Sequence, residues 1–431
     1  MMRRLRRSFT VLLGWGIAFP VLAAPAMAQR TDPSPPYRHV DASTIDGKVL
    51  CGYQAWFRCP GDPDDRGWSH WSRDGRRIEP GTLSVEMWPD MAAYGEDERY
   101  QAPGFTLPDG SPATLFSSAN PKTILRHFRW MAEHEIDGAF AQHFLVGLPG
   151  GPLAELHPAR RRVLDRVAEA AEATGRAWAI AYDIAGMPHN KIYDALTSDW
   201  KRAVDSGLVA GTSYLHQDGK PVVQVWGFYR KSPSNAMTPE LAHRIVDFFK
   251  AQAGGKYAAY LIGGGDWDWR RDEEQRKVVY RFDAYSPWNV GNWRRDAKGD
   301  SHASTGWWDE DRRDCEGHGV LWLPVVYPGF GWDNLMRKPA GTTTIPRRGG
   351  AFYWEQFRDL RRLGVRSAVV AMFDEVDEGT AIFKVTSSPP TQAHFLTFEG
   401  LPSDWYLRLT REGARLLRGD RPDSEAIPIT P

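Results

Sequence analysis

Four carboxylate residues fall within five consecutive positions of the chain: Asp374, Glu375, Asp377 and Glu378. They directly follow an apolar run at 368–373 that has the length and composition of a buried strand. Packing four carboxylates this closely costs free energy unless some of them hold protons, bind a cation or contact a substrate. A solvated acidic loop after a strand is the competing interpretation. We take the group as the candidate site of acid–base chemistry.

Tryptophan is the outlier in composition, with 19 residues. Many of these tryptophans lie in segments rich in Gly, Pro and Asp, including the long stretch 58–119, and few lie in periodic apolar runs. Indole faces are flat and apolar with a polar edge, and the C–H faces of sugar rings stack on such surfaces. Aromatic plugs that close long loops over a core are the alternative. Acids and aromatics together favour a polyol substrate.

Eight segments are predicted to be strands: 48–57, 136–145, 177–184, 221–228, 260–264, 283–287, 321–327 and 367–373. Amphipathic patterns predict helices between several of them: 121–134, 157–174, 238–252, 351–363 and 403–417. Asn120 or Ser118 is the predicted N-cap of the first helix, Thr238 caps another, and Gly175 ends the second. Because parallel strands need crossover connections, this order predicts an α/β fold, a single-domain (β/α)8 TIM barrel. A doubly wound sheet is the alternative, but no nucleotide-binding glycine motif is present.

Polar and aromatic residues collect at the predicted carboxyl ends of these strands and in the loops that follow. A barrel brings such ends to one mouth, where active sites of this fold lie. For any single residue, a rim or capping role is the competing interpretation. We expect the following side chains to contact substrate: Tyr53, Gln54, Trp56, Trp71, Gln142, His143, Asp183, Trp226, Trp288, Asn289, Trp332, Asp333 and Asp374.

The N-terminus has the pattern of an export signal. A basic start precedes an apolar stretch at 11–24, and Ala26-Met27-Ala28 fits a small-x-small cleavage site. The apolar stretch is too short for a membrane span, and Arg6-Arg7 leaves the twin-arginine and general secretory routes both open. We expect a periplasmic or secreted protein. The predicted organisation is a signal peptide at 1–28, a Pro-rich leader at 29–46, the catalytic domain at 47–420 and a tail at 421–431.

Charge and cysteine content limit the partners. The formal net charge is zero, which gives no broad electrostatic reason to expect nucleic acid. No metal-binding spacing is present, so we predict no cofactor, and we expect a monomer. Cys51, Cys59 and Cys315 allow one bridge plus a free thiol, but an odd count determines no pairing.

The segment EVDEGTAI at 375–382 resembles the E-W-H-E-G-T-Q-I segment of glycoside hydrolase family 99, the endo-α-mannosidases. The segments GYQAWF, GWSHW and YPGFGWDN resemble bacterial family 71/99-like proteins. The resemblance implies a (β/α)8 barrel that cleaves an α-linked glycan with retention, with Glu375 as general base and Glu378 as general acid. Val376, Asp377 and Asp374 replace Trp, His and Asn of the family pattern, so an α-glucan remains an alternative to an α-mannoside.

Several mechanisms and functions stay open at this point. Two neighbouring glutamates disfavour each other's charge, so one can hold a proton near neutral pH. The second carboxylate can then attack the sugar, activate water, or, as the resemblance implies, deprotonate the 2-hydroxyl to give a 1,2-anhydro sugar. A secreted carbohydrate-binding protein without turnover is the alternative function. A Ca²⁺ module built on the four acids is another, although the EF-hand spacing is absent.

Overall fold

The computed structural model describes residues 37–229, 237–251 and 255–431. The predicted signal peptide and the first part of the leader, 29–36, lie outside the described residues, as does the predicted end of the 238–252 helix at Gln252. Residues 37–431 form one unit.

Eight parallel strands form the centre of the protein. Their order in the sheet follows their order in the chain, and each predicted strand is confirmed within a few residues. The strands are β1 Val49–Tyr53, β2 Gly138–Phe144, β3 Ala177–Asp183, β4 Lys220–Phe228, β5 Tyr260–Gly265, β6 Ala284–Pro287, β7 in two pieces, Leu321–Trp322 and Val325–Val326, and β8 Ala368–Val370. Residues of β1, β3 and β8 are buried throughout, as expected for strands covered on both faces.

The barrel closes through the two pieces of β7. Leu321–Trp322 pairs with β6, and Val325–Val326 pairs with β8. The switch falls at Pro324, which has no N–H to give to the ladder, while its carbonyl accepts the N–H of Val369 at 2.9 Å. Because β8 also pairs with β1, the sheet returns to its first strand. The predicted (β/α)8 barrel is confirmed.

One helix follows each strand. The helices are α1 Pro121–Glu133, α2 His157–Thr174, α3 His189–Asp205, α4 Pro239–Ala251, α5 Glu273–Val279, α6 Trp308–Gly317, α7 Ala351–Arg362 and α8 Trp405–Arg418. The side chain of Asn120 caps α1, Gly175 ends α2 with a φ of 63°, and the Thr238 hydroxyl accepts the N–H of Leu241. Helices α3, α5 and α6 were not predicted.

The connection between β1 and α1 folds over the carboxyl end of the barrel. It contains an antiparallel pair, Tyr100–Thr106 with Pro112–Leu115. Trp71 and Trp88 are buried within it, so these two side chains belong to the packed core of the connection. A second antiparallel pair, Trp293–Arg295 with Ser301–Ala303, precedes α6, and His216–Gln217 extends the edge of β4.

The three cysteines are free and buried. Cys51 lies on β1, Cys59 donates to the carbonyl of Phe116, and Cys315 lies on α6. The fold therefore contains no bridge between them, and the bridge considered from the sequence is absent.

Candidate active site

A cavity of about 540 Å³ opens at the carboxyl end of the barrel. It is lined by residues at the ends of seven of the eight strands, all but β5, and in the loops after them. Aromatic, amide and carboxyl groups all contribute to its wall. The lining residues are Gln54, Trp56, Gln142, Phe144, Asp183, Trp226, Tyr229, Trp288, Val290, Gly291, Phe330, Trp332, Met372, Glu375 and Glu378.

The segment Asp374–Thr380 after β8, here called the acidic loop, is fastened to the end of β1. Both carboxylate oxygens of Asp374 accept backbone N–H groups, from Gln54 and from Ala55, each at 2.8 Å. Asp374 is completely buried, and Ala55 has a φ of 47°. Asp374 therefore sets the backbone that carries Gln54 into the cavity.

Gln54 in turn orients Glu375. Its side-chain amide donates to one carboxylate oxygen of Glu375 at 3.0 Å, and the Thr380 hydroxyl lies 3.3 Å from the other. Glu375 is only 4% exposed but still lines the cavity. Two donors on one buried carboxyl fix its rotamer and favour its charged form.

A tight turn brings Glu378 to the same cavity. Gly379 has a φ of +60°, and a Cβ there would lie 3.0 Å from the backbone nitrogen of Gly331, which explains the glycine after Glu378. The buried Arg347 guanidinium donates to the carbonyls of Gly379 and Ala381 at 2.9 and 2.8 Å. The turn is thus held by its backbone, leaving the Glu378 side chain at the cavity.

A fifth carboxyl, Glu86, joins the acidic loop to the loop that carries Trp332. Its backbone N–H donates to Val376, and its carboxylate accepts the N–H groups of Asn334 and Leu335 at 2.5 and 3.1 Å. Burial raises the pKa of Glu86 to about 7. This role of Glu86 could not be predicted from its residue type or its position in the β1–α1 connection, because its hydrogen-bond partners are distant in sequence.

Burial governs the ionisation of the acidic loop. It raises the pKa values of Asp374, Asp377 and Glu378 to about 7. The pKa of Glu375 is also raised, first by burial and then by the charge of Glu378. Four full negative charges therefore do not coexist at neutral pH. The loop holds protons, which is what a site for acid–base catalysis requires.

The opposite wall is aromatic. The rings of Trp226 and Trp288, from the ends of β4 and β6, meet edge to face with centroids 5.9 Å apart. Between them β5 ends in three glycines, and a Cβ on Gly264 would lie 2.9 Å from the Trp226 ring. Among the described residues the Trp226 indole N–H has no hydrogen-bond partner. Because this nitrogen is buried, the part of Trp226 that lines the cavity is its ring.

Trp56 forms a third part of the wall. Its ring stacks on His70 with centroids 4.0 Å apart and on Phe144 at 5.4 Å. His70 also approaches the Asp377 carboxylate, with 3.8 Å between Nδ1 and Oδ2. Burial lowers the pKa of His70 to about 3. His70 is therefore neutral, and it supports Trp56 by packing.

The structure brings nine of the fifteen sequence-predicted residues to this cavity. These are Gln54, Trp56, Gln142, Asp183, Trp226, Trp288, Trp332, Glu375 and Glu378. Asp183 faces the cavity from β3, accepts the N–H of Ala185 at 2.7 Å, and has its pKa raised to about 7 by burial. The cavity thus holds carboxyl groups on two sides.

Three of the other predicted residues point away from the cavity. The Tyr53 hydroxyl bonds His127 at 2.9 Å, and the Trp71 indole donates to the carbonyl of Phe116. His143 lies 3.3 Å from Asp199 in a buried polar cluster beside α3. All three are packing residues here, because their polar atoms are bound outside the barrel mouth.

The remaining three are close to the cavity wall without lining it. Asp374 accepts the backbone N–H groups of Gln54 and Ala55, as described above. Asp333 accepts the N–H groups of Gly341 and Thr343 and closes its own loop. Asn289 is buried, and within the described chain its amide has no hydrogen-bond partner.

Six residues of the lining were not predicted from the sequence. These are Phe144, Tyr229, Val290, Gly291, Phe330 and Met372. Most are apolar, so residue type marks them as core, although Phe330 belongs to the YPGFGWDN segment. Among residues 37–229, 237–251 and 255–431, no group of three or more His, Cys, Asp or Glu side chains could hold a metal ion. In the same ranges no helix has the length and apolar character needed to cross a bilayer.

Comparison with known proteins supports the fold. No family model and no curated protein matches the sequence. Two solved structures of a family 99 endo-α-mannosidase from Bacteroides thetaiotaomicron, one of them in complex with bis-tris-propane, superpose with TM-scores of 0.63 and 0.62. Each is 17% identical, and the alignment covers 87% of this chain and 99% of the other. The chain is therefore similar in fold to family 99 along nearly its whole described length.

Proposed function

We propose that this protein is a secreted glycoside hydrolase that acts on an α-linked glycan with retention of configuration. The observation that carries the proposal is the meeting of Glu375 and Glu378 with four indole rings in one cavity at the barrel mouth. Hydrolysis of a glycosidic bond needs a protonated acid at the leaving oxygen and an ionised carboxylate nearby. The fold shared with an endo-α-mannosidase supports the same reaction class.

In this proposal Glu378 is the general acid and Glu375 the general base. Glu378 is the more exposed of the two, and its raised pKa keeps a proton available near neutral pH. Burial and the charge of Glu378 raise the pKa of Glu375 as well, but the hydrogen bond from Gln54 opposes that rise and favours the ionised form of Glu375 once Glu378 is protonated. The two roles are therefore set by different surroundings acting on identical side chains.

The proposed route begins with Glu375 removing the proton of the sugar 2-hydroxyl. That oxygen attacks the anomeric carbon while Glu378 protonates the leaving oxygen, which gives a 1,2-anhydro sugar and the free aglycone. Water then opens the three-membered ring: Glu378 takes a proton from the water and Glu375 returns one to the 2-oxygen, so two inversions produce net retention. The 2-hydroxyl must attack from the face opposite the leaving group. An α-mannoside meets this condition, and an α-glucoside, whose 2-hydroxyl is on the same face, does not.

Mechanism and substrate are therefore linked, and one set of substrates tests both. We expect turnover of α-mannosides, no turnover of the 2-deoxy analogue, and no covalent adduct with a 2-fluoro analogue by mass spectrometry. Turnover of α-glucans would rule out attack by the 2-hydroxyl. An adduct on Glu375 would instead make it a nucleophile, and azide would then rescue its alanine variant as an inverted glycosyl azide.

A second candidate function is binding of carbohydrate without turnover. The aromatic wall serves a binding protein equally well. A release assay over α- and β-linked oligosaccharides separates the two functions. Binding without release of any product would favour the binding protein.

Export is part of the proposal. The basic start, the apolar stretch at 11–24 and the Ala28 cleavage pattern support it. We expect the mature N-terminus close to Gln29, and intact mass spectrometry of the exported protein measures it. A cytoplasmic protein that retains Met1 would contradict this part of the proposal without affecting the reaction.

A further inference from the structure

Two tryptophan pairs stand at the same end of the barrel, outside the catalytic cavity. In the β5–α5 connection Trp269 is buried and Trp267 is half-buried. At the start of α6 Trp308 is buried, and Trp307, which precedes it, is half-buried. In each pair the buried indole anchors the loop in the core, so the other indole is held on a rigid support at the surface.

The two half-buried indoles meet. The ring centroids of Trp267 and Trp307 are 4.4 Å apart, and the ring planes are inclined by 38°. Rings inclined in this way cannot cover each other's faces completely. Both line a separate cavity of about 200 Å³, a size on the scale of a single sugar ring.

Charged groups surround these rings in fixed positions. Arg270 donates to Asp311 at 2.6 Å and to Glu310 at 2.8 Å, which ties the β5–α5 connection to the first turn of α6. The Arg271 guanidinium lies 5.7 Å from the centre of the Trp267 ring. The cavity therefore combines an apolar aromatic surface with cationic donors and carboxylate acceptors, the combination that binds the C–H face and the hydroxyls of a sugar.

We propose that this cavity, here called the rim site, is a second carbohydrate-binding site that holds a distal sugar of an oligosaccharide substrate. The rim site is built from the connection after β5, the end of the connection after β6 and the first turn of α6, and Trp288 of the catalytic cavity also follows β6. Both sites therefore open at the carboxyl end of the barrel. The inference rests on the proposed glycosidase function, and it implies that the preferred substrate is longer than the sugars that contact Glu375 and Glu378.

The test uses Trp267→Ala, Trp307→Ala and the double variant. Trp293→Ala is the matched control, because Trp293 is another half-buried indole of the β6–α6 connection and lines neither cavity. We expect KM for the longest cleaved oligosaccharide to rise about threefold to tenfold per indole, the range for one aromatic contact. The kcat value and the KM for the shortest cleaved substrate should match wild type. An unchanged KM, or an equal rise for both substrates, would overturn the proposal.

A second measurement does not depend on turnover. Migration of the intact mature protein is followed in native gels that contain yeast mannan or dextran, with the unfolding temperature as the check on folding. The proposal expects retardation of wild type by one of these polymers and its loss in the double variant. Equal migration of the two proteins in both gels would overturn the rim site. Absence of hydrolysis with retained retardation would instead reject the glycosidase function alone. If an alanine variant unfolds early, Trp307→Leu keeps apolar volume without a flat face.

Discussion

The two walls of the catalytic cavity are built on different physical principles. The wall from β8 and β1 carries Glu375 and Glu378, and hydrogen bonds from Gln54, Ala55 and Thr380 hold the carboxyl groups of Asp374 and Glu375. The wall from β4 to β6 carries Trp226 and Trp288, which are positioned by ring packing and by the absence of side chains on the β5 glycines. Hydrogen bonds position the side chains of one wall, and packing positions those of the other.

This difference matches what each wall is proposed to do. Proton transfer requires groups that do not reorganise during the reaction, and backbone hydrogen bonds provide that rigidity. Sugar binding requires an apolar ring face that other side chains leave uncovered. Variants of the first wall should therefore act on kcat and variants of the second on KM.

The largest effect is expected from Glu378→Gln. The amide keeps the shape of the side chain but cannot supply a proton, so activity on natural glycans should fall about 10²-fold or more. Substrates with a good leaving group should lose less, because their departing oxygen needs less protonation. Steady-state kinetics on the two substrate types measures the difference. Wild-type turnover of a natural glycan by this variant would show that Glu378 is not the acid.

A smaller loss of kcat, about tenfold, is expected from Asp374→Asn. The new amide group would face the backbone N–H of either Gln54 or Ala55, so one of the two bonds is replaced by a clash of donors. Gln54 would then orient Glu375 less well. Kinetics and thermal unfolding are measured together.

Asp62→Asn is the matched control for that experiment. Asp62 is also a buried carboxylate that accepts backbone N–H groups, from Cys59, Asp64 and Asp65, but it is not part of the acidic loop. It should lower the unfolding temperature and leave kcat unchanged. Equal kcat losses in both variants would mean that Asp374 acts only through global stability.

The sequence was sufficient to predict the barrel, because its strands are apolar and its helix caps use standard side chains. It did not predict α3, whose buried Ile192, Leu196 and Trp200 are separated by polar residues, or the short, highly charged helices α5 and α6. Periodicity over so few apolar positions is a weak signal.

Within the site, the sequence located strand ends but not the direction of each side chain. Gln142 and Phe144 line the cavity, whereas His143 between them faces α3, as the alternation along a strand requires. Tyr53 and Gln54 differ in the same way. One step of register separates a residue that contacts the cavity from one that packs outside it, and composition alone does not determine that step.

The aromatic wall should respond in KM. Trp226→Ala and Trp288→Ala each remove a ring that contacts the cavity, and we expect KM to rise about threefold to tenfold with kcat close to wild type. Trp130→Ala is a suitable control, since this indole is buried on α1 outside the cavity. A fall in kcat with unchanged KM would contradict the division between the two walls.

Inhibition by bis-tris-propane tests the carboxyl groups of the cavity. Bis-tris-propane is a polyhydroxylated amine, so it offers a cation to carboxylates together with hydroxyl groups. Because Asp183, Glu375 and Glu378 face one cavity, we expect competitive inhibition that weakens in Asp183→Asn. Inhibition that does not compete with substrate would indicate another binding site.

The smallest expected effect is a change in the pH dependence of stability. The folded-state pKa of Glu378 is raised from 4.5 to about 7 by burial, so the native state favours the protonated form. This contribution to stability is fully present below the unfolded pKa and is lost as pH rises through about 7. The unfolding temperature of wild type should therefore fall between pH 5 and pH 8. In Glu378→Gln, which has no charge to bury, the fall should be smaller by about 2 °C. Glu96→Gln, a change at an exposed glutamate, should leave the wild-type difference intact. If Glu378→Gln and wild type lose stability equally over this range, the acidic loop does not carry the buried charge that its geometry implies.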